Sequence, residues 1–466
     1  MFPMKKISLV FLGILMCFTS FAHVQLPSIF SEHMVLQQNT NVTIWGWGKP
    51  NEVIKITASW APEKEYSVKV INQSAWSTDI ETPEAGGPYQ LKLQGYNTIE
   101  INDVLIGEVW LGSGQSNMEW TPNAGIDNVE EEQANANFPE IRFFTVPTST
   151  ASTPQQLLQG RWVTCTPETM NDFSALMYFF GRELHRNLNK PIGLINSSWG
   201  GTPIEVWIQE PIVRGDRWLS ENADKLNPVP WGPHEPGKAF NAMINPLIPF
   251  KIKGVLWYQG EGNVGFPHQY TRALSTLIDS WRAAWGEEFP FYFVQIAPYA
   301  GYGSDNENGA ILRDQQRKVL DVVDKTGMAV ISDIGDLNDI HPKNKVDVGK
   351  RLAYWALNQD YGISDIVFSG PLFALYEIGK SKIIVHFNHT DGGLVGRDGD
   401  LREFEILDEA GNWVLAQANI KENVVQVKVG SVKSPRGLRY AYKNDSNPNL
   451  FNKAGLPASC FEIIIQ

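Results

Sequence analysis

From about Val104 to Leu357 the chain alternates short apolar runs with longer runs of helical period, and this alternation limits the fold more than any other feature. Gly254-Val255-Leu256-Trp257-Tyr258, Phe291-Tyr292-Phe293-Val294-Gln295-Ile296 and Met328-Ala329-Val330-Ile331 read as strands. Tyr270, Leu274, Leu277, Ile278, Trp281 and Trp285 share one helical face. Leu176, Phe180, Leu184 and Leu188 recur every four residues ahead of the strand-like Pro191-Ile192-Gly193-Leu194-Ile195. Val348, Leu352, Trp355 and Ala356 give a last amphipathic helix. Continuously apolar strands separated by amphipathic helices predict an α/β fold with a parallel sheet covered on both faces. Ligands bind beyond the carboxyl ends of such strands, so chemistry is expected in the loops that leave them.

The flanks have a different texture. Val42-Thr43-Ile44-Trp45, Val53-Ile54-Lys55-Ile56-Thr57-Ala58 and Tyr89-Gln90-Leu91-Lys92-Leu93 are short β segments broken by Gly-Pro turns. After about Ile363 similar strands return, among them Ile383-Ile384-Val385-His386-Phe387, Phe404-Glu405-Ile406-Leu407 and Val424-Val425-Gln426-Val427-Lys428-Val429. Both flanks predict β-sandwich-like regions. The 466 residues exceed one ordinary domain. They divide into residues 1–22, an N-terminal β domain at 23–103, the α/β domain at 104–360 and a C-terminal β region at 361–466. One long irregular stretch, Arg214 to Lys238, holds Trp218, Trp231, His234 and four prolines, and reads as a rim or lid over a site.

Residues 1–22 read as a signal peptide. Lys5 and Lys6 precede the apolar run Ile7–Phe21, and Ser20-Phe21-Ala22 places small residues where a signal peptidase cuts. The run is too short to span a bilayer, so export to a periplasmic or extracellular space is expected, without membrane insertion. Cleavage removes Cys17, leaving Cys165 and Cys460, too few for a disulfide framework although the two are free to pair. It also removes two lysines, which takes the net charge from −12 to −14. That balance argues against nucleic acid and anionic membrane surfaces.

Four loops carry reactive residue types. Glu108-Val109-Trp110-Leu111 runs into Gly112-Ser113-Gly114-Gln115-Ser116-Asn117-Met118, a glycine-rich turn between strand and helix. Such a turn presents a serine nucleophile beside backbone N–H groups able to hold an oxyanion; taken alone, the turn reads first as a structural one with Ser116 as helix cap. Asp333-Ile334-Gly335-Asp336-Leu337-Asn338-Asp339-Ile340-His341-Pro342 follows the last strand and offers a base, with aspartates able to fix its tautomer. Its alternative is a surface loop with a capping aspartate. Asn196-Ser197-Ser198-Trp199-Gly200-Gly201-Thr202-Pro203 and Gln259-Gly260-Glu261-Gly262-Asn263 supply backbone and side-chain donors, or are ordinary turns.

Taken in order, these blocks resemble the sialate O-acetylesterase family, serine hydrolases of the SGNH type with a flavodoxin-like core. The resemblance extends over nearly the whole chain after residue 22. It begins at Leu26-Pro27-Ser28-Ile29-Phe30-Ser31 and Met34-Val35-Leu36-Gln37-Gln38, and continues through Asp103–Trp110 and Gly114-Gln115-Ser116-Asn117-Met118. Ser198–Glu205, Trp257-Tyr258-Gln259-Gly260-Glu261, Asp339-Ile340-His341-Pro342 and Gly455-Leu456-Pro457-Ala458-Ser459 complete it. The resemblance implies a carbohydrate esterase that needs no metal or organic cofactor. Ser116 attacks an acetyl carbonyl and His341 takes and returns the proton. The oxyanion is held by the Ser116 and Gly201 (or Gly200) amides with the Gln259 side chain, or Asn263 in its place. The wider SGNH pattern puts the orienting Asp three residues before His, where this chain has Asn338. Asp339 is the choice for that role, with Asp336 or a backbone carbonyl as alternatives.

Gln115, Trp199, Glu261 and Arg313 are expected to meet the sugar, Arg313 supplying the cation that a sialic acid carboxylate requires. Its other reading is a solvated helix face. Trp120 and Trp199, close in sequence to the two halves of the site, are expected to wall the acyl pocket or else to pack in the core. O-acetylated sialic acid is therefore the leading substrate. An acetylated xylan or other polysaccharide is the runner-up, which requires an open groove and no carboxylate-binding Arg. A non-catalytic carbohydrate-binding protein is the alternative from another class. The oligomeric state is not legible.

Overall fold

The computed structural model describes residues 23–465, so the expected signal peptide lies outside the described residues. The central strand, Thr98–Gly114, has Ile192–Ser198 on one side and Gly254–Tyr258 on the other, both parallel to it. Phe291–Val294 and Thr326–Ala329 extend the sheet past Gly254–Tyr258, also in parallel. Taken in chain order, these five strands lie 2-1-3-4-5, the flavodoxin-like arrangement. Phe138–Thr145 adds a sixth parallel strand outside Ile192–Ser198, and Trp162–Cys165 closes that edge antiparallel.

Helices in the connections between the strands pack in pairs. Ala175–Leu188, which precedes the step to one side of the central strand, packs with Lys345–Gln359, and Tyr270–Trp285 packs with Asn308–Val319. Tyr270–Trp285 buries Ala273, Leu274, Leu277, Ile278 and Trp281, the face its sequence period marks. It ends where Gly286 takes φ +71°, a left-handed C-cap that glycine adopts without a Cβ clash. Trp257, Trp281 and Phe291 meet in one ring cluster beneath it.

The expected boundary at 103/104 falls inside a single 17-residue strand. Thr98–Ile106 pairs antiparallel with Gly86–Gln94, and the same strand then continues into the parallel sheet. Val42, Ile44, Ile54, Ile56, Ile80, Leu91 and Leu93 share one continuous core with the α/β layers. Most of the N-terminal β region is therefore an extension of the central sheet, with Thr40–Trp47 and Ala75–Thr82 paired as a separate two-stranded sheet; alternation along the sequence marks strands but not which of them runs on into the next layer.

The C-terminal region is a separate core. Two four-stranded antiparallel sheets, one through Lys382–Asn388 and Val424–Lys428, the other through Phe404–Leu407 and Gly437–Tyr440, enclose Ile383, Val385, Phe404, Ile406, Val425, Leu438 and Phe461. Arg439 ties it to the α/β part through Glu307 at 2.8 Å, while pairing with Glu405 of its own sheet at 2.8 Å. Cys165 and Cys460 are both buried and both free, so they do not pair. Arg214–Lys238 is partly helical: Arg217–Ala223 forms a helix, capped by the Asp216 carboxylate on the N–H groups of Trp218 and Leu219. Seven residues are too few for a helical period to show in sequence. Among the described residues no helix is long and apolar enough to cross a membrane.

Candidate active site

Register brings three loops to one level. Gly114 stands opposite Ser198 on one neighbouring strand and Tyr258 on the other, so the segments starting at 115, 199 and 259 leave the sheet side by side. This is the topological switch point, where the chain crosses from one side of the central strand to the other. Gly114 takes φ +137°, and a Cβ there would lie 2.1 Å from the Tyr258 carbonyl oxygen. Glycine lets the central strand turn sharply against its neighbour. Ser116 then opens a single helical turn, Ser116–Glu119, with Gln115 in the cap position. Ser116 is not the cap.

The Ser116 hydroxyl lies 2.9 Å from His341 Nε2. The two residues are 225 positions apart and both stay partly exposed. The His341 loop is braced from below. Arg351, on the following helix, pairs with Asp333 and donates to the Val330 carbonyl, both at 2.6 Å. Asn344 caps that helix by accepting from the Asp347 N–H. The imidazole stacks on Trp120, with ring centroids 4.3 Å apart and planes inclined 21°. Trp120 thus supports the base, and its indole N–H donates to the Gly125 carbonyl.

Asp339 Oδ1 is 3.7 Å from His341 Nδ1, beyond hydrogen-bond range, and accepts the backbone N–H of His341 at 2.9 Å. Asp336 Oδ1 accepts the N–H of Asn338 and braces the loop. Asp339 is the carboxylate placed beside the imidazole, although the pair is open as it stands.

Asn117, which sequence reasoning passed over, is fully buried and joins three loops. Its amide nitrogen donates to Glu261 Oε1 at 2.7 Å and to the Ile340 carbonyl at 3.0 Å, and its oxygen accepts from Lys345 Nζ at 2.6 Å. One side chain thereby connects the residue after Ser116 to the peptide before His341. The signal was present in the sequence only as a polar residue following the serine and a lysine four positions after the histidine. Burial pushes the Lys345 ammonium down to about 7, against the opposing pull of Glu261 and Asp339. Burial raises the Glu261 carboxyl.

The remaining expected site residues divide. Gly200 packs on the nucleophile: a Cβ at 200 would sit 3.4 Å from Ser116 Cβ. Its N–H donates to Glu119 Oε2 at 2.6 Å, so an acceptor already holds the amide that an acyl oxygen would need. Burial raises the Glu119 carboxyl, and the bond from Gly200 opposes that shift. The expectation for Gln259 and Asn263 as side-chain oxyanion donors is corrected. Gln259 Nε2 donates to the Thr202 carbonyl and to Asn263 Oδ1, while Asn263 Nδ2 donates to Glu205. Both are buried and brace the loop behind Gly201.

Three of the four expected sugar contacts are corrected as well. Gln115 is buried and its Oε1 accepts from Gly262 N. Glu261 is turned inward onto Asn117, with its second oxygen buried and unpartnered. Arg313 is 2% exposed and donates to the carbonyls of Lys443 and Ala441 at 2.5 and 3.4 Å, locking the C-terminal region in place. It is neither a solvated helix face nor a carboxylate receptor. Trp199 is half-buried, its indole N–H donating to the Trp231 carbonyl at 2.9 Å.

The electrostatics yield a testable pH dependence. His341 is held below the ordinary imidazole range, first by burial and then by the Lys345 charge, with Asp339 opposing. A base must be neutral to take a proton, so the acid limb of kcat/KM should fall below the ordinary histidine value of about 6.5. Lys345→Met removes the repelling cation and should move that limb up; Asp339→Asn removes the attracting anion and should move it down. A pH–rate profile checks both, and an unmoved limb in Lys345→Met would show that the two groups do not couple.

The sequence profile of a family described as carbohydrate esterase, sialic acid-specific acetylesterase, matches residues 106–358. The chain is 31% identical to the sialate O-acetylesterase of Homo sapiens, over 84% of this chain and 82% of that protein. It is also 31% identical to that of Pongo abelii, over 89% and 87%. A crystal structure of a carbohydrate acetylesterase from Xanthomonas citri superposes with a TM-score of 0.87 at 35% identity, covering 94% of this chain and 99% of that one.

Proposed function

Since the chain belongs to the carbohydrate esterase family of sialic acid-specific acetylesterases and is an O-acetyl ester hydrolase, we propose that Ser116 and His341 perform the hydrolysis on an acetylated sugar. The observation that carries this reading is the 2.9 Å approach of His341 Nε2 to the Ser116 hydroxyl at the switch point of the sheet. His341 takes the hydroxyl proton as Ser116 Oγ adds to the acetyl carbonyl. The Ser116 N–H, unpaired within its helix as a first-turn amide, and the Gly200 N–H face the developing oxyanion once the Glu119 carboxylate gives way. His341 returns the proton to the departing sugar hydroxyl. Water, activated by the same imidazole, then releases acetate from Ser116. Asn117 and Lys345 touch no reacting atom in this scheme; they hold the His341 loop.

Two substrate readings stand side by side. The mammalian relatives are named sialate O-acetylesterases, which supports an O-acetylated sialic acid. The inward placement of Arg313 favours the second, a neutral acetylated polysaccharide such as xylan, since the cation chosen for a sugar carboxylate is engaged elsewhere. Acetate release from an O-acetylated sialic acid and from acetylated xylan, measured in parallel, separates them. Absence of release from both, with no turnover of an aryl acetate, would refute the esterase mechanism itself.

Acyl size gives a further expected result. Trp120 stacks against His341, and Trp199 directly precedes Gly200, which abuts Ser116, so a longer acyl chain is expected to meet an indole beside the base. Forcing a longer chain against packed rings typically costs about 1–3 kcal/mol, or roughly 10–200-fold in rate. Acetate should therefore exceed butyrate in kcat/KM on esters of one alcohol; equal values would place the protein among general carboxylesterases. The protein is also proposed to be exported, with cleavage after Ala22; N-terminal sequencing of the mature protein is the check.

A further inference from the structure

Next to the Gly200-Gly201 loop lies a cleft of about 500 Å³ that none of the reacting groups fills. Trp199 and Trp231 form its aromatic sides, and Ser152, His234, Glu235 and Lys238 its polar rim. It is joined to the nucleophile by one short segment. Gly200 abuts Ser116, and the next residue, Gly201, passes directly under the Trp231 ring. Gly201 takes φ +73°, and a Cβ there would stand 2.6 Å from Trp231 Nε1. The Trp199 indole N–H meets the Trp231 carbonyl at 2.9 Å, which fixes the backbone of the rim to the catalytic loop.

Trp231 itself is 62% exposed. A large indole held in place by two backbone constraints, yet left open to solvent, has no packing role that accounts for it. Its flat face suits the C–H face of a pyranose, and the hydroxyls at the ring edge need the donors and acceptors that the polar rim supplies. Charge narrows the class of sugar. The Lys238 ammonium lies 3.2 Å from Glu235 and 3.0 Å from the Ser152 hydroxyl, so the rim cation already faces a carboxylate. An acidic sugar would bring a second anion to that pair, in a chain whose net charge is −12. A neutral sugar meets no such repulsion.

We infer that the cleft between Trp199 and Trp231 is a binding subsite for a neutral sugar ring of the acetylated glycan, lying beyond the ester at Ser116. The inference rests on the Ser116–His341 reading for its position, and its test uses an aryl acetate, which has no sugar, to keep the two apart. Trp231→Ala should lower kcat/KM on acetylated xylo-oligosaccharides at least tenfold more than on 4-nitrophenyl acetate, mainly through KM. Trp231→Phe, which retains an aromatic face, should recover part of the loss. The melting temperature of each variant, measured alongside, separates loss of the subsite from loss of folding. Equal losses on both esters would mean that Trp231 braces the catalytic loop, and would overturn the subsite. No loss on either, preference of the wild type for an O-acetylated sialic acid, or failure of the wild type on xylo-oligosaccharides while it cleaves the aryl ester would overturn it too. Failure of the wild type on the aryl ester would instead refute the mechanism on which the subsite rests.

Discussion

Ser116→Ala should lower kcat on an aryl acetate by about 10⁴- to 10⁶-fold, the scale seen when a hydrolase loses a nucleophile that works as a unit with its base. Alanine keeps the backbone turn and the helix start, since Gln115 and not Ser116 holds the cap position. The hydroxyl is partly exposed and its partner is His341, so thermal stability should stay within about 1 kcal/mol of wild type. Measuring both quantities on one preparation matters. A large loss of rate with a large loss of stability would describe a folding defect, and a near-normal rate would remove Ser116 from the mechanism. Turnover is read with an aryl acetate because the leaving group then needs no sugar subsite.

The parts of the site that local sequence could show are those that each loop carries by itself. A glycine before a serine at a strand's end, and a histidine after aspartates at another strand's end, are visible as composition and order. Their meeting is set by register: Gly114 opposite both Ser198 and Tyr258 brings three loops to one height, and periodicity locates strands without fixing how they pair. The α/β alternation was legible because buried parallel strands are apolar throughout and their helices are long enough to show a period. The 17-residue central strand was not, since nothing in Thr98–Gly114 marks where one layer ends and the next begins.

Polar residues were legible by type and not by direction. Gln259, Asn263, Gln115, Glu261 and Arg313 all carry groups that suit a sugar or an oxyanion, yet each turns inward to satisfy a buried partner. The physical reason is common to the four that sit on the site loops. Three loops packed at one level leave many backbone N–H and C=O groups without strand partners, and buried polar groups of this kind must be paired. Polar side chains beside a site therefore serve the loops first. Asn117 shows the same rule in reverse: an unremarked residue becomes the link between nucleophile and base because its amide satisfies Glu261, Ile340 and Lys345 together.

His341→Ala should cost several orders of magnitude in kcat, because a serine hydroxyl is a weak nucleophile without a base. The more informative comparison is between the two aspartates of its loop. Asp339 Oδ1 stands 3.7 Å from Nδ1 and already accepts the His341 backbone N–H, whereas Asp336 bonds to the Asn338 N–H. A rotation of the ring or carboxylate closes the first gap, and catalytic hydrogen bonds that are long without substrate often tighten when it binds. Asp339→Asn loses the anion that stabilises the imidazolium and should reduce kcat by roughly ten- to a hundredfold, less than in a triad whose bond is already formed. Asp336→Asn keeps an oxygen for the Asn338 N–H and should change kcat by no more than about threefold, as expected of a loop brace whose acceptor is retained. If both changes are small, the ring is oriented mainly by its stack on Trp120, and Trp120→Ala should then produce the larger loss. If Asp336→Asn is the more damaging of the two, the choice of Asp339 is wrong. Steady-state kcat for the four variants, at a pH where His341 is neutral, decides among these arrangements. The pH control is needed because losing the Asp339 charge also lowers the pKa of His341, so a comparison made on the acid limb would understate the damage.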